Sequence, residues 1–123
     1  MTTYYAKGSA PANPVVSGDC TFTITNTGSS SVNLAMTCTN FTGGNTWTLT
    51  SGTPSNDQIK ITAYYVGQNP ASGLVLTTGS QSFYSGLAAS GTLLWDFSEL
   101  TGGTTNTFSD STQKTGTITI TGS

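Results

Sequence analysis

Histidine is absent from the 123 residues of this chain, which limits the chemistry available to its other side chains. Without histidine, no Ser-His or Cys-His pair can activate a nucleophile, and most zinc sites lose their usual ligand. Two carboxylates could still hydrolyse a glycoside, and Asp96 and Glu99 are the only acidic pair close together in the sequence. Their odd spacing on a strand points them to opposite faces, so we expect no catalytic residues.

The remaining acidic residues are candidates for binding a metal ion. Asp19, Asp57 and Asp110 fall in predicted loops, and a calcium site gathers several oxygen ligands from such loops. None of the three starts a loop with the alternating acidic residues of a calcium-binding motif, so we interpret them as solvated turn residues. The sequence therefore predicts neither a metal site nor a cofactor.

Cys20 and Cys38 are the only cysteines, and they flank a predicted β-hairpin. Apolar residues alternate with polar or small ones in both predicted strands, and folding about Ser29 pairs Phe22 with Met36. The same register places the two sulfurs opposite each other, where a cross-strand disulfide is feasible. We expect this disulfide, with two reduced, buried thiols as the alternative.

Aromatic side chains are the main candidates for recognition. Trp47, Trp95 and Tyr84 could form a platform that stacks on sugar rings, although the alternation around Trp95 favours the core. Trp47 is flanked by threonines and follows a glycine-rich loop, and Tyr64 falls on the outward parity of its strand. Trp47 and Tyr64 are therefore candidate contact residues.

The composition of the chain favours strands and turns over helices. Charged residues make up 7% of the sequence, and 15 glycines accompany many threonines, serines and asparagines, which disfavour long helices. Strands with one apolar face recur along the chain with turn signals between them, which predicts one all-β domain, an antiparallel β-sandwich. The apolar positions of these strands predict a core of Phe22, Ile24, Leu34, Met36, Ile59, Ile61, Leu93, Trp95, Phe97, Ile118 and Ile120.

Charge and hydropathy restrict the partners and the location of the protein. With three lysines, no arginine and a net charge of -2, the chain cannot neutralise a run of phosphates, so we expect no nucleic-acid partner. Its apolar runs are too short for a membrane span or a secretory signal. We expect either a mature piece of a larger exported protein or a complete protein released without the secretory route, as virion proteins are. The two cysteines and the polar, charge-poor surface favour an extracellular, cell-surface or virion location.

Residues 1–14 have the composition of an N-terminal arm and linker, ahead of a single domain at residues 15–123. Strand-like residues, with Tyr4 and Tyr5 as candidate contacts, precede a stretch rich in Gly, Ala and Pro. An arm tethered in this way can pair with its own sandwich or exchange onto an exposed edge strand of a neighbour. We expect the arm to act between molecules, and the alternative is a first strand that pairs within its own domain.

The stretch Thr21-Phe-Thr-Ile-Thr-Asn-Thr-Gly28, followed by an apolar strand, resembles the "TVTNTG" hairpin of bacterial and archaeal surface-exposed immunoglobulin-like modules. Gly86-Leu-Ala-Ala-Ser-Gly-Thr-Leu-Leu-Trp95 and Lys114-Thr-Gly-Thr-Ile-Thr-Ile120 resemble the last two strands of such modules. The resemblance spans most of residues 18–122. The antibody-type Cys, Trp, Cys spacing is missing, because Trp47 follows both cysteines.

The resemblance implies an immunoglobulin-like sandwich that serves as a spacer, an adhesion element or a subunit of a surface or virion assembly. We therefore expect a non-enzymatic module that builds or decorates an extracellular or virion surface through protein contacts, including contacts with copies of itself. Carbohydrate binding, with glycans as partners, is the alternative function.

Overall fold

Two β-sheets pack together in the computed structural model of the chain, which describes residues 3–102 and 112–123. Within these ranges, nine strands follow one another as β1 (Thr3–Tyr5), β2 (Phe22–Thr25), β3 (Val32–Cys38), β4 (Thr48–Leu49), β5 (Gln58–Tyr65), β6 (Leu74–Val75), β7 (Gln81–Leu87), β8 (Thr92–Thr101) and β9 (Ile118–Gly122). The helical turns of this part of the chain are two short 3-10 turns, Ser17–Asp19 and Pro70–Ser72. None of its helices is long and apolar enough to cross a membrane. The predicted all-β sandwich is confirmed.

One sheet has six strands and the other has three. In the six-stranded sheet, β5 and β8 pair in the centre, with β4 and β6 paired to β5, and β1 and β2 paired to β8. In the three-stranded sheet, β3 lies between β7 and β9. The pair β4–β5 is parallel, and the other strand pairs are antiparallel.

The predicted hairpin between β2 and β3 is wrong, because the two strands belong to different sheets. β2 pairs with β8, placing Phe22 opposite Trp95, whereas β3 pairs with β9, placing Met36 opposite Ile120. Residues 26–31 therefore connect the sheets instead of turning within one. The consecutive strands β6 and β7 are separated in the same way, since β6 pairs with β5 and β7 with β3. Apolar alternation shows that a strand has an apolar face, but it does not specify which other strand pairs with it.

The predicted disulfide between Cys20 and Cys38 is also wrong, and both residues are free thiols. Cys38 ends β3 in the three-stranded sheet, whereas Cys20 precedes β2 at the edge of the other sheet. Burial raises the pKa of both thiols, and the carboxylates of Asp96 and Asp19 raise that of Cys20 further. The disulfide depended on the hairpin register, so the two predictions fail together.

The core lies between the two sheets, and its buried residues include six of those predicted: Leu34, Met36, Ile59, Ile61, Leu93 and Trp95. Four others pack against this core but are only partly buried: Ile24, Phe97, Ile118 and Ile120. Phe22 was wrongly assigned to the core, because β2 is an outer strand and leaves the ring exposed. The core also contains five buried residues outside that predicted list: Cys38, Ala63, Leu76, Phe83 and Leu87.

β1 and β2 pair with the same edge of β8, β1 near its C-terminal end and β2 near its N-terminal end. Residues 6–21, the N-terminal loop, leave this edge after β1 and return to it at β2. Val15 anchors the loop: its side chain is 1% exposed, its N–H donates to the Gln68 carbonyl, and its carbonyl accepts from the Gly67 N–H. In the single chain, β1 thus pairs within its own domain.

Candidate functional site

The large exposed apolar side chains of the described residues are concentrated near the N-terminus. They are Tyr4, Val16 and Phe22, whose side chains are 56%, 50% and 37% exposed. Tyr4 lies in β1 and Phe22 in β2, while Val16 lies in the N-terminal loop between them. We call the outer side of β1 and β2 the N-terminal edge. This edge thus carries two of the three side chains, Tyr4 and Phe22, and exposed apolar side chains on one surface are typical of interaction surfaces.

Phe22 extends an aromatic stack from the core to the N-terminal edge. The centre of its ring lies 4.9 Å from that of Trp95 and 5.8 Å from that of Phe97, with interplanar angles of 30° and 15°. Trp95 is buried, Phe97 is half-buried and Phe22 is exposed. Because stacking already restricts the Phe22 ring, a partner that covers it would lose little side-chain entropy.

The backbone of the N-terminal edge is open to a further strand. Within residues 3–102 and 112–123, β1 and β2 pair with β8 alone. Unpaired strand edges offer N–H and C=O groups to another chain, and proteins usually protect them with proline or charged side chains. β2 has the sequence Phe-Thr-Ile-Thr, which contains neither.

An apolar cleft of ≈310 Å³ opens beside β2. Ile24 of β2 and Ile120 of β9 line it, together with the buried side chains Leu34 and Leu87. β2 and β9 are outer strands of different sheets, so the cleft marks an open side of the sandwich. Apolar side chains of an added strand could enter this cleft.

A second concavity lies on the outer face of the six-stranded sheet, which we call the outer-face cavity. Strand pairing places Tyr5 opposite Ser98, Ser98 opposite Thr62, and Thr62 opposite Val75. One row of side chains thus crosses four strands. This row and Lys60 line a cavity of ≈390 Å³.

Two walls border the outer-face cavity, and backbone hydrogen bonds join the segments that carry them. The N-terminal loop contributes Pro11, and the turn Pro70–Ser72 contributes the opposite side. The Val15 N–H donates to the Gln68 carbonyl over 2.9 Å, and the Gly67 N–H donates to the Val15 carbonyl over 2.8 Å. The cavity is therefore preformed.

Gly73 allows the second wall to lie against the floor of the cavity. A Cβ atom at this position would lie 2.7 Å from Cγ2 of Thr62 and 2.9 Å from the Ala63 carbonyl oxygen, both closer than van der Waals contact. The Asn69 side chain accepts a hydrogen bond from the Ala71 N–H at 3.0 Å and so holds the wall's 3-10 turn.

Asp96 is buried beneath the N-terminal loop and holds both of its ends. Its carboxylate accepts hydrogen bonds from the Thr21 hydroxyl at 3.3 Å, from the Phe97 N–H at 2.9 Å, and from the Lys7 N–H. Burial raises the pKa of Asp96, and these hydrogen bonds with the positive charge of Lys7 oppose part of the rise. Asp96 and Glu99 face opposite sides of β8, since Asp96 lies opposite Tyr64 and Glu99 opposite the core residue Ile61.

The expected exposure of Tyr64 is wrong, because its side chain is only 2% exposed. The outward parity of Tyr64 was identified correctly, but the N-terminal loop covers that part of the outer face. Among the described residues, no partner accepts or donates a hydrogen bond to the Tyr64 hydroxyl. Burial and the negative charge of Asp96 raise the pKa of Tyr64.

The other candidate contact residues lie apart from one another. Tyr4 is on the N-terminal edge, and Tyr5 lines the outer-face cavity. Trp47 is half-buried, with the ammonium group of Lys114 over its ring at 5.6 Å from the centre. Trp95 lies inside the sandwich, so Trp47, Trp95 and Tyr84 do not form the sugar-stacking platform considered from the sequence.

Of the acidic residues considered as metal ligands, Asp19 has hydrogen bonds that give it a structural role. The Asp19 carboxylate accepts from the Ala12 N–H at 2.9 Å and the Val16 N–H at 3.1 Å, and so stabilises the N-terminal loop. Asp57 precedes β5, and Asp110 lies outside the described residues. In the part of the chain that the structure describes, no three His, Cys, Asp or Glu side chains are grouped to hold a metal ion.

Two residues that line the outer-face cavity, Tyr5 and Tyr64, were candidate contacts from the sequence. Lys60, Thr62 and Ser98 were not predicted, because they lie on outward parities that normally face solvent. The sequence did contain one indication that part of the outer face is covered. Leu94 and Tyr64 also occupy outward parities, and large apolar or aromatic side chains there indicate that something covers this face.

No protein-family model matches the chain, and searches of curated proteins and of solved structures find no match. The N-terminal edge and the outer-face cavity are therefore the surfaces from which function is inferred.

Proposed function

We propose that this protein is a non-enzymatic, immunoglobulin-like structural module that builds or decorates an extracellular or virion surface through protein contacts. The N-terminal edge is the observation that carries the proposal, because it combines exposed Tyr4 and Phe22 with strands whose outer sides have no strand partner among the described residues. Strand addition uses main-chain hydrogen bonds and apolar side chains, so it suits a chain with few charges. The immunoglobulin-like type is supported by the resemblance of residues 21–28.

The partner that we propose is a second copy of this chain. β1 pairs with β8 through only three residues, Thr3 opposite Leu100 to Tyr5 opposite Ser98. Residues 9–14 connect it to the rest of the domain and are almost entirely exposed. The arm of one copy can therefore replace β1 on another copy in the same register, which joins the two molecules while keeping the main-chain contacts.

Light scattering across a range of protein concentrations tests this assembly. We expect the full-length chain to associate as its concentration rises, and a chain lacking residues 1–8 to remain monomeric. Phe22→Thr should weaken association, because it removes the exposed ring but keeps a strand-forming residue. Val16→Thr is the control, because Val16 is exposed but lies outside both strands. Equal association of the full-length and truncated chains would contradict the proposal, as would two monomeric chains.

Carbohydrate binding is the alternative function, and the outer-face cavity is the observation that favours it. The cavity brings Tyr5 together with the hydroxyl residues Thr62 and Ser98, and aromatic rings and hydroxyl groups are among the groups that bind and orient small ligands. A glycan array probed with the full-length chain separates the two functions. Binding of neutral glycans by a chain that stays monomeric would favour the alternative.

A further inference from the structure

The outer-face cavity has the size of a small-molecule site. Sites for small ligands enclose about 300–1,000 Å³ and carry a few convergent polar groups in an otherwise apolar lining. This cavity has a volume of ≈390 Å³, and backbone hydrogen bonds of Val15 with Gly67 and Gln68 join the two segments that carry its walls. It lies on the outer face of the six-stranded sheet, so a ligand there does not require the assembly proposed above.

The polar groups of the cavity favour a negatively charged ligand. Lys60 is the only charged residue among the described residues that line it. Tyr5, Thr62 and Ser98 add hydroxyl groups that can donate hydrogen bonds. A lining that contains one lysine and several hydroxyl groups, with no carboxylate among its described residues, matches a ligand whose acceptor atoms carry negative charge.

Asp96 does not reverse this preference. It lies outside the lining of the cavity, beneath the N-terminal loop. Its oxygens already accept hydrogen bonds from Thr21, Phe97 and Lys7. Lys60 is therefore the charge that a ligand in the cavity meets directly.

The apolar part of the lining favours a compact ligand body. Pro11 and Pro70 stand on the two walls, and Val75 ends the row of side chains across the floor. Proline side chains lose almost no rotamer entropy on contact, so they form a pre-shaped surface for a ring or a short aliphatic group. We propose that the outer-face cavity binds a small organic carboxylate, with the carboxylate at Lys60 and the body between Pro11 and Pro70.

Such a carboxylate has two sources, a sugar acid or the C-terminus of a short peptide, and matched probes distinguish them. The ¹⁵N-labelled full-length chain is titrated with glucuronate and with its neutral analogue glucuronamide. It is also titrated with N-acetyl-alanyl-alanine and with the amide of that peptide. We expect saturable shifts of the backbone amide signals around Lys60 and Ser98 with at least one acid. Each neutral analogue should bind about tenfold more weakly than its acid, because it lacks the charge-assisted hydrogen bonds.

Two lysine variants test the assignment to Lys60. Lys60→Gln should weaken binding of the acid about tenfold. Lys7→Gln removes the same charge outside the cavity lining and should leave binding within about twofold, since exposed charges are screened by salt. Saturation by glucuronate alone assigns a sugar acid, and saturation by the peptide acid alone assigns a C-terminal carboxylate. The proposal is overturned if neither acid saturates, if acids and amides bind equally, or if Lys60→Gln has no larger effect than Lys7→Gln.

Discussion

The Asn26 side chain joins the two sheets through its amide. Asn26 follows β2 and is buried, and its Nδ2 donates to the carbonyl oxygens of Leu87 and Ala88 at 3.0 and 3.1 Å and to that of Ser30 at 2.8 Å. Its Oδ1 accepts from the Gly28 N–H at 3.0 Å. One side chain therefore holds the connection from β2 to β3 and attaches it to the end of β7.

Asn26→Ala should lower the free energy of unfolding by about 1–3 kcal/mol, because the Leu87 carbonyl oxygen loses the hydrogen bond from Asn26 and the Gly28 N–H loses its acceptor. Denaturant unfolding measures the loss. Asn33→Ala is the matched control, because Asn33 is exposed and its Oδ1 accepts one hydrogen bond, from the Gly86 N–H. Asn33→Ala should lower the free energy of unfolding by less than about 1 kcal/mol. Equal decreases in the two variants would show that Asn26 has no special role.

The buried carboxyl group of Asp96 should make the stability depend on pH. Its pKa is raised above the ordinary value of 3.8, so the folded chain holds the Asp96 proton more tightly than the unfolded chain does. The tighter binding of this proton stabilises the folded chain fully at pH values below the ordinary pKa of 3.8. This stabilisation is lost as the pH rises through the higher pKa of Asp96 in the folded state.

Asp96→Asn removes this titration. The free energy of unfolding of the natural chain minus that of Asp96→Asn should therefore decrease as pH rises from about 3 to about 7. Denaturant unfolding of both proteins at several pH values measures the difference. A difference that stays constant or increases with pH would show that the pKa of Asp96 is not raised.

At the scale of elements, Val15 is the buried apolar side chain of the N-terminal loop. Val15 and Val16 are neighbours, but Val15 is buried beneath the loop and Val16 is exposed. Val15→Ala should lower the free energy of unfolding by about 1–3 kcal/mol, because it removes buried methyl groups and leaves a cavity. Val16→Ala should change stability by less than about 0.5 kcal/mol. Thermal unfolding of both variants tests this difference, and similar losses would mean that the loop is not anchored at Val15.

The whole molecule depends on packing between its two sheets and on no covalent link in the described residues. Because both thiols are free, a reducing agent should leave the midpoint of thermal unfolding unchanged. A thiol-specific reagent should modify the partly exposed Cys20 first, and the buried Cys38 only when the chain unfolds. Mass spectrometry of the labelled protein measures the order. A lower midpoint under reducing conditions would reveal a disulfide.

Apolar alternation was sufficient to predict the sandwich and much of its core. In β5, Ile59 and Ile61 alternate with Lys60 and Thr62. In β8, Trp95 and Phe97 flank Asp96, so the inward faces could be identified without knowing any partner. The scarcity of charged residues and the abundance of glycine likewise predicted that long helices are absent. These properties depend on residues close together in the sequence.

Strand partners and the covering of the outer face were decided only by the tertiary structure. β2 could have paired with β3, but β8 is long enough to pair with β5 on one side and with both β1 and β2 on the other. The pairing of β2 with β8 separates Cys20 from Cys38 and leaves Phe22 at the N-terminal edge. It also carried residues 6–21 across the outer face, where they buried Tyr64 and Asp96. A period of two specifies which side chains share a face, but contacts between residues distant in sequence determine what that face meets.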